Sequence, residues 1–265
     1  MQWRTTATAI FTAVSSPVAG TAQAGQLALK LTLDEEATLE NFFCTAATRP
    51  VCHSLRMDLA EPVLFLHGSA GAGKTHLLQA SCHEAQPGSL YLPLSELQEL
   101  DPHALLQDLE QAPRIAFDDL HRVAGQAAWE EALFHLMNRC RASGAQIVFS
   151  SLLPPGELPI ALADLQSRLA GGLIWAMAAY SDDDVRSILA FRASRRGLNL
   201  SPAVLDYLGT RVSRSLGDLL KLLERLDEAA LQAQRPLTVP LINLLVPIFG
   251  SATFTHLYHR LEKTG

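Results

Sequence analysis

Five short apolar runs mark the first two thirds of the chain: Val63–His67 (VLFLH), Ser89–Pro93 (SLYLP), Arg114–Phe117 (RIAF), Gln146–Phe149 (QIVF) and Leu173–Tyr180 (LIWAMAAY). Each has the length of a buried strand and is too short for a helix. Between them lie stretches whose apolar residues recur at three and four: Thr75–Ala85, the leucines at 94, 97, 100, 105, 106 and 109, and Trp129–Ala142. That spacing predicts helices, the leucine-rich stretch among them. Strands alternating with helices predict an α/β fold whose five-stranded parallel sheet is covered on both faces.

Beyond Tyr180 the pattern is helical only. Ser181-Asp182-Asp183-Asp184 reads as a helix start, Gly197 as a stop, and Ser201-Pro202 as a cap followed by proline at the first helical position. Ser213–Gln234 then predicts a long amphipathic helix, Pro236–Pro240 a break, and Leu241–Ile248 a last apolar helix. The expected domains are therefore an α/β base over residues 32–180 and a small all-α domain over 181–248. Residues 249–265 form an extension without assigned structure.

Composition narrows the class. With 48% hydrophobic and 18% charged residues over 265 positions, the chain is a packed protein and not a disordered one. Its net charge of −6 and pI near 5.8 disfavour indiscriminate coating of phosphate backbones, although 17 of the 21 basic residues are arginine and remain usable locally. Cys44, Cys52, Cys82 and Cys140 show no zinc-site spacing, even with histidine after Cys52 and Cys82, and read as free core thiols in a reducing compartment. Residues 1–25 carry an export-like apolar stretch ending in Ala22-Gln23-Ala24, but threonines, serines and a proline interrupt it. No segment offers the roughly 18 uninterrupted apolar residues of a membrane span.

Chemistry concentrates after the first run. Gly68-Ser69-Ala70-Gly71-Ala72-Gly73-Lys74-Thr75 fits G-x-x-x-x-G-K-[ST] between a strand and a helix. In such a loop, glycines let backbone N–H groups turn inward around phosphate oxygens, and the helix N-terminus adds positive potential. Lys74 then reaches the terminal phosphates and Thr75 ligates magnesium, so ATP or ADP with Mg is the expected cofactor. Asp118 ends a strand-like run 44 residues after Lys74, where it can hold the same ion through water. Asp119 follows as a candidate water-orienting acid; the plainer reading of the pair is a helix cap.

With the phosphate loop, the strand-ending acid pair, a polar strand tip before Pro154-Pro155 and a helical second domain in place, the chain from about Gln26 to Val246 resembles the AAA+ module of the DnaA replication-initiator family. The resemblance implies that the all-α domain is a lid. Ala37-Thr38-Leu39-Glu40-Asn41-Phe42 is similar to the segment leading into that family's adenine pocket, which implies nucleotide contacts for Asn41 and Phe42. Leu165-Gln166-Ser167-Arg168-Leu169 resembles its Box VII, which makes Arg168 the candidate arginine finger; a solvated surface arginine is the plainer alternative.

About 18 residues follow the last expected lid helix, too few for the DNA-binding domain of an initiator, so no direct sequence-specific DNA binding is expected. A lone AAA+ module headed by a short peptide resembles the Hda branch of the family, the regulatory inactivators of DnaA. Gln26-Leu27-Ala28-Leu29-Lys30-Leu31 resembles the sliding-clamp-binding motif Q-L-x-L-x-L, with Gln26, Leu27, Leu29 and Leu31 as the implied clamp contacts. Further likeness to that branch lies in Tyr91-Leu92-Pro93-Leu94, Trp129-Glu130, Leu133-Phe134 and Asn138.

Two positions depart from the family pattern. Leu152 stands where the strand-tip acid of sensor I is usual, and Gly217 where the sensor II arginine is usual, with Arg214 one turn earlier as a substitute. Slow intrinsic hydrolysis is therefore expected. The resemblance implies a nucleotide-bound adaptor that docks on the DNA polymerase III beta sliding clamp and stimulates ATP hydrolysis by DnaA, restraining replication initiation. It is expected to be cytoplasmic, free of membrane contact and open to homo-oligomerisation, with residues 1–25 a disordered leader or an upstream start. A helicase-loader-like AAA+ ATPase is the alternative.

Overall fold

A computed structural model of the chain describes residues 33–56, 62–198, 200–211 and 216–233. The leader, the peptide Gln26–Leu31, Arg214, the apolar stretch at 241–248 and residues 249–265 lie outside the described residues. The chain divides into two compact units, Met1–Ala178 and Ala179–Gly265.

The first unit is built on five strands: β1 (Val63–Gly68), β2 (Leu90–Pro93), β3 (Arg114–Asp118), β4 (Gln146–Ser151) and β5 (Leu173–Met177). They form one sheet in the order β2-β3-β4-β1-β5, and every pairing is parallel. Around it lie α1 (Arg49–Arg56), α2 (Lys74–Glu84), α3 (Leu94–Leu97), α4 (Pro102–Leu105), α5 (Ala127–Ser143) and α6 (Ala163–Ala170). The expected α/β class and five-stranded parallel sheet are therefore present.

Strand periodicity divides the core in two. Val63 and Phe65, Ile115 and Phe117, and Ile147 and Phe149 face one side, where they meet Trp129, Leu133 and Leu136 of α5 and Leu165 and Leu169 of α6. The intervening Leu64, Leu66, Ala116 and Val148 face the other, against Val51 and Leu55 of α1 and Leu77 and Leu78 of α2. Phe117 and Phe149 stack with centroids 5.4 Å apart, and Phe65 lies 6.2 Å from Phe149. Each ring is fully buried, a gain of roughly 1.5–3 kcal/mol apiece.

Two expected elements change and one helix is added. The leucine-rich stretch after β2 is not one helix but α3, α4 and a 3-10 turn at Leu109–Gln111. Pro102 cannot continue a helix from α3, and Asp101 instead caps a new one, accepting the N–H of His103 at 3.1 Å. β5 ends at Met177, short of Tyr180. Helix α1, which the apolar spacing did not flag, starts at Arg49-Pro50 and buries Val51, Cys52 and Leu55.

In the second unit, α7 (Asp182–Arg195), α8 (Pro202–Arg211) and α9 (Leu216–Ala233) surround Leu189, Val204, Leu208, Leu219, Leu222 and Leu226. Ser181 starts α7 through a capping box: its Oγ accepts from the N–H of Asp184 at 3.1 Å, and its own N–H donates to the Asp184 carboxylate at 3.0 Å. The Ser181 hydroxyl also donates to that carboxylate at 2.7 Å, and this bond, with the one from the Ser181 N–H, holds the Asp184 carboxyl below its ordinary pKa. Gly197 at φ 74° ends the turn after α7, and Arg196 pairs with Glu224 of α9 at 3.1 Å.

Candidate nucleotide site and the distal arginine

The phosphate loop leaves β1 at Gly68 and enters α2 at Lys74. A Cβ on Gly68 would stand 2.2 Å from the carbonyl oxygen of Met177, so no larger residue fits there without backbone movement. Gly71 and Gly73 take positive φ values of 80° and 88°, the left-handed backbone that lets consecutive amides face inward. Ser69, Ala70 and Thr75 are exposed along the loop and the first turn of α2, while Ala72 is buried beneath it. Lys74 is buried and donates from Nζ to the carbonyls of Gly68 at 2.7 Å and Ser69 at 2.8 Å. Burial pushes its pKa down, opposed by the carboxylates of Asp119 and Asp118.

Asp118, at the end of β3, is buried with both oxygens occupied: Tyr91 donates to one at 2.8 Å and Ser150 donates to the other. Ser150 Oγ also accepts the N–H of Asp119 at 2.9 Å, so one hydroxyl ties the acid pair to the tip of β4. Burial, then the neighbouring Asp118, pushes the Tyr91 phenol far up, which keeps it a donor. Asp119 sits at φ 61° and ψ 47° at the head of a 3-10 turn over Leu120–Arg122, yet its side chain accepts no capping bond. The capping alternative for this acid is thus not realised, and its carboxylate lies 4.0 Å from His121 Nδ1. Sequence reading missed the roles of Tyr91 and Ser150, which come from β2 and β4 and carry no local signature.

Asn41 and Phe42 lie in a turn-rich segment against α2. Asn41 donates from Nδ2 to the carbonyl of Glu36 at 3.0 Å, and Phe42 is buried with its ring 5.3 Å from that of His76. His76 Nε2 lies 2.8 Å from the carbonyl of Thr38, fastening this segment to the first turn of α2 just past Lys74. Leu152, at the strand tip, is 42% exposed and brings no charge to the site, and Gly217 lies exposed in the first turn of α9.

Arg168 is not gathered with these residues. It is half-buried near the end of α6, in a cleft of about 210 Å³ with Arg141, Ser167, Gly172 and the start of β1 at Pro62 and Val63. The phosphate loop lies past the other end of β1, and five residues of strand at about 3.3 Å each place it roughly 17 Å from Val63. The loop before α6 is held by Glu130, a buried carboxylate of α5, which accepts the N–H groups of Gly125 at 2.7 Å, Ala161 at 3.0 Å and Leu162 at 2.8 Å.

Among the described residues no His, Cys, Asp and Glu cluster is built to hold a metal by itself, and no helix is long and apolar enough to cross a membrane. A phosphate loop following an inner strand of a parallel sheet in the order β2-β3-β4-β1-β5, with a separate small helical unit, defines an AAA+ P-loop protein. Residues 182–245 match the model of the Hda lid domain, and residues 94–176 that of the bacterial DnaA ATPase domain. An uncharacterized protein of Haemophilus influenzae is 38% identical over 228 residues, covering 83% of this chain and 98% of that protein. The chain belongs to the DnaA/Hda-like AAA+ family, among DnaA-related replication regulators. Domain III of Thermotoga maritima DnaA shares its fold at a TM-score of 0.69 and 22% identity, over 82% of this chain and 98% of that one. AMPPCP-bound DnaA of Aquifex aeolicus does so at 0.62 and 22%, over 72% and 65%.

Proposed function

We propose that the chain is a nucleotide-bound adaptor that docks on the DNA-loaded sliding clamp and supplies Arg168 in trans to ATP held by DnaA, so restraining replication initiation from the cytoplasm. The observation that carries this reading is the placement of Arg168: it shares a cleft with the start of β1, a strand's length from the chain's own phosphate loop. An arginine there is out of reach of a nucleotide on its own loop and is presented to a neighbouring molecule. A guanidinium supplied in this way stabilises the charge that develops on a transferred phosphoryl group.

The chain's own site then serves binding. The loop amides of Gly68–Gly73 and the Lys74 ammonium hold ADP or ATP, as the Aquifex aeolicus relative holds AMPPCP, with Asn41 and Phe42 on the base side. Thr75, exposed at the start of α2, and Asp118, through water, fit a magnesium ion that would neutralise charge between the phosphates. Leu152 offers no group to sense a terminal phosphate, so Asp119 acts, if on any water, in a slow intrinsic hydrolysis. Clamp docking is assigned to Gln26, Leu27, Leu29 and Leu31.

The test is ATP hydrolysis by DnaA in the presence of clamp, DNA and this protein. Arg168→Ala is expected to remove the stimulation while co-elution with the clamp persists; stimulation equal to the parent's would sink the proposal. In the same preparation, Gln26→Ala with Leu29→Ala is expected to abolish co-elution. The helicase-loader alternative draws on the convergence of Lys74, Asp118 and Asp119 at one site, and brisk ATP turnover by the protein alone would favour it.

A further inference from the structure

We propose that Cys44 and Cys52 are a reversible modification site: an oxidant of the hydroperoxide class joins them as an intramolecular disulfide that fastens the segment before α1 to that helix. The two Sγ atoms lie 2.8 Å apart, closer than sulfurs in ordinary contact and within an ångström of the roughly 2.05 Å of a disulfide bond. The approach is built by local structure. Thr45 and Thr48 bond reciprocally, with the N–H of Thr45 donating to Thr48 Oγ1 at 2.9 Å and the N–H of Thr48 to Thr45 Oγ1 at 3.3 Å, and the N–H of Arg49 donates to the Thr45 carbonyl at 3.0 Å. This turn brings Cys44 back over the buried face of α1, where Cys52 stands beside Val51 and Leu55. The pair corrects the expectation of four core thiols: Cys44 is half-buried, whereas Cys52, Cys82 and Cys140 are buried.

Exposure orders the chemistry. Cys44, as thiolate, attacks the peroxide oxygen, breaking the O–O bond and leaving a sulfenic acid and hydroxide. The Cys52 sulfur then displaces that hydroxyl as water and forms the S–S bond; two thiols are oxidised by two electrons and one peroxide is reduced to two waters. Burial, reinforced by Cys44 beside it, pushes the Cys52 thiol up, which suits it to be the resolving partner and not the first to react. Burial also raises Cys82 and Cys140 to about 12; Cys140 lies in the core on the opposite face of the sheet, and Cys82, in the same core as Cys52, directs its Sγ to the carbonyl of Leu90 at 3.4 Å. The proposal stands whether or not the adaptor reading is right.

The experiment treats the full chain with hydrogen peroxide under native conditions. Titratable thiols are expected to fall from four to two, with a mass loss of about 2 Da, a Cys44–Cys52 linked peptide on non-reducing mapping, and full recovery with dithiothreitol. Cys44→Ser and Cys52→Ser each abolish the mass loss, while Cys82→Ser and Cys140→Ser leave it unchanged. Hydrogen exchange of residues 37–48 is expected to slow on oxidation. Mass gains of oxygen without loss of hydrogen, a different pairing, or covalent dimers would overturn the site. A disulfide that leaves exchange in 37–48 unchanged would overturn the fastening.

Discussion

The two ends of the parallel sheet use the same polar chemistry in opposite ways. At the carboxyl ends of β1 and β3, the carboxylates of Asp119 and Asp118 oppose the burial that lowers the Lys74 pKa, and Gly71 and Gly73 of the loop take left-handed backbone. At the amino ends the notable groups are arginines. Arg114, at the start of β3, is buried and donates to the carbonyls of Leu55 and Ser81 near the ends of α1 and α2, at 3.2 and 2.8 Å, and to Gln146. Arg168, at the same end of the sheet, keeps part of its surface open in a cleft. The difference teaches what decides an arginine's role: Arg114 is consumed by carbonyls at helix ends, whereas Arg168 is left to act outward. Under the proposed function, the first end receives phosphate and the second presents a cation to a neighbouring molecule.

Four substitutions would break or sharpen that contrast. The largest effect is expected from Arg168→Ala, which should lower stimulated phosphate release by DnaA on the order of a thousandfold with nucleotide binding by the variant unchanged. Lys74→Ala should act at the opposite end alone, weakening ADP binding tenfold or more (~1.4 kcal/mol); a thermal shift with ADP equal to the parent's would contradict it. Glu130→Ala leaves three backbone donors without their acceptor and should cost about 1–3 kcal/mol in denaturant unfolding. It should also reduce stimulation by displacing the loop before α6 while sparing ADP affinity.

The smallest effect concerns pH. Burial holds the His121 imidazole below its ordinary pKa, with Asp119 opposing and Arg122 and Lys74 assisting. The unfolded chain takes up this proton more readily, near pH 6.5. Stability from this group is therefore complete above that pH and is lost as pH falls below it. His121→Gln should flatten the decline of Tm between pH 7 and 5 and leave Tm at pH 8 nearly unchanged. An unaltered slope would show that His121 is not the group responsible.

Much of this was legible in the residues because its causes are local. The strand runs carry their own period, and the glycines of the phosphate loop stand where the backbone turns, so sheet and loop can be read from short windows. The broken path from Leu94 to Gln111 was hidden because leucines at helical spacing outweighed the single interruption at Asp101-Pro102. The partners of Asp118, and Ala161 and Leu162 bonded to Glu130, join residues 27 to 32 positions apart, and no window shows which hydroxyl or carboxylate the fold will bring. The loss of an acid at Leu152 was readable as a substitution. That Arg168 lies a strand's length from the loop needed the direction of α6 and the shared cleft with β1.

The division of side chains between the sheet's two faces has a consequence for how the chain finds its fold. Phe65, Phe117 and Phe149 all crowd one face, while Ala116 with Ala72 and Ala80 line part of the other. Sliding any strand by one position would exchange its faces, driving a ring into the narrow side and leaving a hole on the broad one. Parallel strands meet late and from far along the chain, when mistakes are easiest. Here volume itself acts as the proofreader, rejecting a misaligned strand before the phosphate loop has anything to hold.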